Sequence, residues 1–272
     1  MQDERLAIII GGGVGPMAGI YLHKHIVQNM PGISRDSDHV DIWHLSDVAR
    51  MPDRSDFLSG KVQVNPADIM AENILGVGEY LHSKNRKWVV AIPCATFHAP
   101  KIFDRFCTNV EWHPGCIQVL NMVEETINFI QQVLQKIHSV GVLATQGSVD
   151  SMVWSKPFEY AGYQVFNICD SSQHKLHKAI YNHQYGLKCK TPPSIQSQEI
   201  IYNSCMELIE KGAEAIILGC TELPLVQDYL IENIGKHVVL CDPLKIMALV
   251  VVNNLEYIDQ GYSSHVLWKA MT

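Results

Sequence analysis

Two stretches of this chain read alike, and together they restrict its fold more than any other feature. One is Lys87–His98, KWVVAIPCATFH, and the other is Ala213–Pro224, AEAIILGCTELP. Each is an apolar run, a break residue (Pro93 or Gly219), a cysteine and the expected start of a helix. Trp88–Ile92 and Ala215–Leu218 are short, rich in β-branched residues and bounded by breakers. That is the pattern of a strand buried on both faces, as in a parallel sheet covered by helices. Ligands of open α/β sheets bind beyond the carboxyl ends of the strands. Cys94 and Cys220 are expected at those ends.

A neutral thiol is a poor base. Its ordinary pKa is about 8.5, and a helix N-terminus can bring it to roughly 3.5–7.5. A cysteine so placed can exchange a proton near neutral pH. A lone free cysteine is most often a small core residue. Two in matched contexts suggest a pair that removes a proton from one face of a small molecule and returns it to the other.

The rest of the chain has the same alternating character. Leu6–Ile10 reads as a strand, followed by GGGVGPMAG. Gly13–Ala18 fits G-x-G-x-x-G/A between a strand and a periodic segment, a turn able to hold a pyrophosphate or a carboxylate on bare N–H groups. The acidic partner of a dinucleotide site is not clearly placed. Ala49–Lys61 reads as a loop or lid containing Arg54, a candidate clamp for a substrate carboxylate. Pro66–Leu81 reads as an amphipathic helix, His98–Phe106 and Val119–Ile137 as helices, and Glu111–Gly115 as a boundary loop. Val140–Ala144 with its Thr145–Ser148 turn echoes Ile8–Gly15, at nearly the offset that separates the two cysteines. Helices are expected at Ser172–Asn182, Ile195–Lys211 and Pro243–Leu255, with strands at His39–Leu45, Gln164–Ile168 and His237–Cys241. The expected fold is α/β: two pseudo-symmetric domains, each a mostly parallel doubly wound sheet flanked by helices, with the site in the cleft between them. The first domain is expected over 1–113 plus 229–272, and the second over 114–228.

Composition narrows the function. The chain has 272 residues, 47% of them hydrophobic, and a net charge of −7. No Lys/Arg block supports nucleic-acid or membrane binding, and no apolar run reaches about 18 residues. The opening MQDERLAIIIGGG lacks the features of a signal peptide, so a cytoplasmic protein is expected. Its eight cysteines are then free thiols. There is no Cys-x-x-Cys, and neither His23/His25 nor His174/His177 has an evident third ligand, so no metal site is expected.

Four segments carry a resemblance. They are Gly12-Gly13-Val14-Gly15-Pro16, Pro93-Cys94-Ala95-Thr96-Phe97-His98, Leu143-Ala144-Thr145-Gln146-Gly147-Ser148 and Gly219-Cys220-Thr221-Glu222. In order and spacing they resemble the GGMGP-like, P-C-N-T-A-H, L-A-T-x-x-T and G-C-T-E segments of the aspartate/glutamate racemase family. Glu222 and the Pro52-Asp53-Arg54 segment favour the aspartate type. Two departures stand out: Ala95 where the family has Asn, and Phe97 for a small residue.

The resemblance implies a cofactor-independent racemase interconverting L- and D-aspartate or glutamate, with Cys94 facing the D-enantiomer's proton and Cys220 the L-enantiomer's. It implies that Arg54 holds the distal carboxylate. Gly13, Val14, Ala95, Thr96, Thr145, Ser148, Thr221 and Glu222 would surround the substrate. A family lysine would fall at Lys190 or Lys188, with Lys190 taken as the candidate. The partner expected is a small acidic amino acid, and the assembly a homodimer. A related isomerase or decarboxylase on another small acid, a nicotinamide-dependent oxidoreductase and a non-catalytic binding protein of the same fold stay open.

Overall fold

A computed structural model describes residues 6–235 and 238–258. The strands are β1 (Ala7–Gly11), β2 (Asp41–Leu45), β3 (Trp88–Ala91), β4 (Cys116–Leu120), β5 (Ser139–Leu143), β6 (Gln164–Asn167), β7 (Ala215–Leu218) and β8 (Val239–Cys241). The helices are α1 (Pro16–Asn29), α2 (Arg54–Leu58), α3 (Pro66–Ser83), α4 (Pro100–Val110), α5 (Met122–Val133), α6 (Gln146–Asp150), α7 (Ser155–Tyr160), α8 (Asp170–Tyr181), α9 (Ile195–Glu210), α10 (Gln227–Ile234) and α11 (Pro243–Ile258).

The strands form two four-stranded sheets, ordered β2-β1-β3-β4 and β6-β5-β7-β8. Every pairing is parallel. The same order occurs twice, as the echo between the halves implied. In each sheet the direction of winding reverses between the first and third strands, which is where an open sheet leaves its ligand crevice. The four sequence segments follow β1, β3, β5 and β7, so all four sit at these two reversal points.

Side-chain alternation sends each strand into two cores. Ile8, Ile10, Val89 and Ala91 join Val140, Val142, Ala215 and Ile217 in one apolar body shared by both halves. Ala7, Ile9, Val90 and Ile92 face a second core with α3 and α4. Ile216 and Leu218 face a third, with α8, α9 and α10. Ile8, Ile9, Ile10, Ile216 and Leu218 are all 0% exposed, and each such side chain contributes about 1.5–3 kcal/mol on burial. Helix α11 packs on α1 and α5. Asp242 caps it as expected, its Oδ1 accepting from the Leu244 N–H at 2.9 Å.

The sheets divide the chain differently from the expected boundaries at 113/114 and 228/229. Cys116–Leu120, expected in the second half, is the edge strand of the first sheet, and Val239–Cys241 is the edge strand of the second. The expected helix Val119–Ile137 begins only at Met122, where Asn121 accepts from the Val123 N–H at 3.0 Å and ends the strand. Within the expected loop Ala49–Lys61, Asp53 starts the short helix α2 by accepting from the N–H groups of Ser55 and Asp56 at 2.8 and 3.0 Å. Among the described residues, no helix is long and apolar enough to cross a membrane.

Candidate active site

Each half brings one cysteine to a strand end because a break residue turns the chain there. After β3, Pro93 stops the ladder and Cys94 precedes a single 3-10 turn, Ala95–His98. The His98 ring fixes that turn, with Nδ1–H donating to the Cys94 carbonyl at 2.9 Å. Burial lowers the pKa of His98 to about 4, so the ring is neutral. After β7, Gly219 gives the break, and only glycine fits. A Cβ there would lie 2.6 Å from Trp154 Nε1, which donates to the Gly219 carbonyl at 3.0 Å. Cys94 and Cys220 are 6% and 5% exposed.

A cavity of about 10 Å3, barely room for one water molecule, joins the two halves. The first half lines it with Val14, Arg54, Cys94, Ala95 and Thr96; the second lines it with Thr145, Cys220, Thr221 and Glu222. Gly13 is not in its wall; it turns with φ +82 beside Asp47. Ser148 stands just behind the wall, with its Oγ 2.8 Å from Thr96 Oγ1 and 3.1 Å from Thr145 Oγ1. The remaining Thr96–Thr145 contact is 3.3 Å, so three hydroxyls from two domains form a closed triangle.

Three residues enter that sequence reasoning did not choose: Tyr181, Lys188 and Gly219. The lysine is a correction. Lys190 is exposed, whereas Lys188 Nζ reaches Glu222 Oε1 at 2.7 Å and lies 5.2 Å from the centre of the Tyr181 ring. Both lysines lie in one irregular loop, where sequence alone gives no register. Of the two family departures, Ala95 belongs to the cavity wall. Phe97 points away, fully buried edge-on to Phe106 in the core beneath α3 and α4.

Arg54 Nη2 donates to the Val14 carbonyl at 2.9 Å, and Nη1 to that of Pro52 at 3.2 Å. Its buried Nε has no hydrogen-bond partner. Burial works against the Arg54 charge, but Cys94 and Asp53 outweigh it and the pKa is raised. The two thiols therefore have opposite surroundings. Cys94 neighbours a cation, whereas the Cys220 thiol donates to Glu222 Oε2 at 3.1 Å. Burial, then the Glu222 charge, push Cys220 well above its ordinary range despite Lys188. The lowering expected there from a helix N-terminus is outweighed by burial and the Glu222 carboxylate.

A wider cleft of about 540 Å3 adjoins the cavity at Tyr181, lined by residues such as Asp53, Asp150, His174 and His177. It contains neither Cys94 nor Cys220, so the smaller cavity is the candidate for chemistry. Among the described residues, no group of three or more His, Cys, Asp and Glu is arranged to hold a metal ion.

A family model described as Asp/Glu/hydantoin racemase matches residues 12–250, a span that contains all four segments and the whole cavity. The chain belongs to that family.

A broad-specificity amino-acid racemase of Bacillus subtilis (strain 168), RacX, is 26% identical over 145 residues, 53% of this chain and 56% of that one. An uncharacterised protein from the pnlA 3′ region of Pectobacterium carotovorum is 28% identical over 101 residues, 37% of this chain and 63% of that one. The match thus spans less than two thirds of the length of these curated relatives. Among solved structures, the aspartate racemase of Picrophilus torridus superposes with a TM-score of 0.67 at 17% identity over 94% of each chain. A glutamate racemase of Francisella tularensis, solved with D-glutamate, gives 0.61 at 14% identity over 97% of this chain and 85% of that one. These likenesses establish the fold, two α/β domains with parallel sheets.

Proposed function

We propose that the protein is a cofactor-independent racemase of an acidic amino acid, aspartate first and glutamate second, acting as a cytoplasmic homodimer. One observation carries the proposal: Cys94 and Cys220, from opposite halves, line one small buried cavity together with the Arg54 guanidinium. A Cα proton is weakly acidic, so its removal needs a close base and stabilisation of the charge that develops. One cysteine as thiolate takes the proton, and the other as thiol supplies one to the opposite face, which inverts the centre. Thr96 and Thr221, with nearby backbone N–H groups, hold the α-carboxylate and its enolate-like charge. Arg54 takes the side-chain carboxylate, its unpartnered Nε being free to donate.

The nicotinamide reading of Gly13–Ala18 loses support here. Glu222 stands against Gly15, where a pyrophosphate would need to lie. Ala95 in the cavity wall offers the substrate's main-chain end no side-chain amide, which weakens the hold on groups common to every amino acid.

The test is chiral chromatography of purified protein incubated with each of several L-amino acids, in heavy water and with EDTA. The expected result is the D-form of aspartate or glutamate carrying one solvent deuterium, unaffected by chelation. No inversion of any amino acid, or loss on chelation that a metal restores, overturns the reading.

A further inference from the structure

Glu222, paired with Lys188, is a buried charge in the cavity that this reaction does not use. It is 4% exposed. Burial works to neutralise it, but the Lys188 ammonium and hydrogen bonds from Lys188 and Cys220 outweigh burial, and its pKa is lowered. An ionised carboxylate repels a substrate carboxylate, so it is a poor binding group for an acidic amino acid. Its bonds run instead to the protein. Oε1 accepts from Lys188 Nζ at 2.7 Å. Oε2 accepts the Cys220 thiol at 3.1 Å and the Thr221 hydroxyl at 3.4 Å. Gly15 closes over the Oε1 side, since a Cβ there would lie 2.7 Å away.

We infer that Glu222 is a positioning residue: with Lys188 it fixes the proton of Cys220, so that the free protein rests with Cys220 as thiol. Glu222 and Lys188 act in opposite senses. The carboxylate accepts the S–H and penalises a thiolate beside it. The ammonium neutralises part of that carboxylate and eases the penalty. The groups facing Cys220 are Glu222 and Thr221 on its own turn, Tyr181 at the end of α8, Lys188 in the loop that follows, and Arg54 of α2 through its field on Glu222. In turnover, when Cys220 acts as acid its S–H bond breaks and the substrate carbanion takes the proton on its electron pair. The thiolate left behind then faces Glu222 and is driven to regain a proton. When Cys220 acts as base, the same bond re-forms at the expense of Cα–H. This meaning rests on the two-cysteine reading, but the test does not.

The test follows alkylation of Cys220 by iodoacetamide across a pH series, in the full-length protein without substrate, read residue by residue by mass spectrometry. Alkylation reports the thiolate. Glu222→Gln should bring the Cys220 midpoint down by one pH unit or more, roughly a tenfold faster reaction at neutral pH. Glu222→Asp keeps the charge and should remain near wild type. Lys188→Met should move the midpoint up and slow the reaction. A midpoint unmoved by Glu222→Gln, or moved the same way by both Glu222→Gln and Lys188→Met, overturns the inference. If Glu222→Gln does not fold, as judged by its melting curve, Lys188→Met decides alone: its midpoint must rise. A chain that racemises nothing yet shows opposed shifts refutes the racemase reading and keeps this one, whereas an active racemase with fixed midpoints does the reverse.

Discussion

Thr96 on the turn after β3 and Ser148 in α6 belong to different sheets, yet their hydroxyl oxygens lie 2.8 Å apart. With Thr145, at 3.3 and 3.1 Å from them, they close a triangle of hydroxyls beside the cavity. Each hydroxyl has one proton to give, so a substrate carboxylate that takes one of those protons must open the triangle. If the proposed substrate binds there, its binding and the contact between the halves would be linked through the same three atoms.

Removing one corner tests that link. Thr96→Val keeps the shape and leaves Thr145 and Ser148 bonded to each other. The expected cost is about 1–3 kcal/mol of stability for a buried group left without its partner, with a raised KM. Thermal melts and initial rates check both. An unchanged KM would confine Thr96 to joining the halves.

Arg54→Ala should raise KM for an acidic substrate by roughly tenfold or more, from about 1.5–3 kcal/mol for a hydrogen bond to a charged group. A neutral amino acid should lose much less. Arg54→Lys should recover part only, because an ammonium cannot hold the Val14 and Pro52 carbonyls and a carboxylate with one planar fork. Equal loss for acidic and neutral substrates would mean that Arg54 only ties α2 to the glycine turn.

Cys94→Ser and Cys220→Ser should each lower racemisation by about two orders of magnitude or more, the usual scale of a lost acid or base. Each variant keeps one thiol. Elimination from a β-substituted substrate needs a base on one face alone, so each should retain it with one enantiomer. Assays of both variants with both enantiomers decide this, and near wild-type inversion by either would make that cysteine structural.

His98 makes stability depend on acidity. Its pKa is about 4 in the fold against 6.5 unperturbed, so the unfolded chain binds the proton first as pH falls. The stabilisation is complete above 6.5 and is lost as pH drops from there to about 4. At about 1.4 kcal/mol for each pH unit, the loss approaches about 3 kcal/mol. Urea midpoints across this window should slope less for His98→Gln than for wild type, the remaining slope coming from His23, His25, His44 and His177, which burial also lowers. An equal slope in both would place the acid sensitivity elsewhere.

The sheets and cysteines were legible because buried strands of a parallel sheet have a strong local pattern: Val89, Val90, Ile216 and Ile217 allow little else between breakers. Cys116–Leu120 was not. It is a short, half-buried edge strand, and the apolar spacing of α5 extends back over Val119 and Leu120. Arg54 was visible beside Pro52-Asp53. Tyr181 gave no signal, since an aromatic at the end of a helix is usually core. Lys188 could not be told from Lys190 because a loop has no periodicity to set which side chain turns inward. The direction of the Cys220 shift was also beyond sequence, as it depends on a carboxylate two residues on folding back towards the sulfur.

Gly15 is one of the places where the halves meet closely, its bare Cα facing Glu222 Oε1, where an added carbon would lie 2.7 Å away. A methyl group at that position would act as a wedge. If the halves were held ajar, water would reach the carbanion that the proposed mechanism leaves to the opposite thiol. A proton returned by water arrives on either face. Such a protein would exchange hydrogen with solvent more often than it inverts the carbon, which ties the faithfulness of the proposed inversion to the atom this glycine lacks.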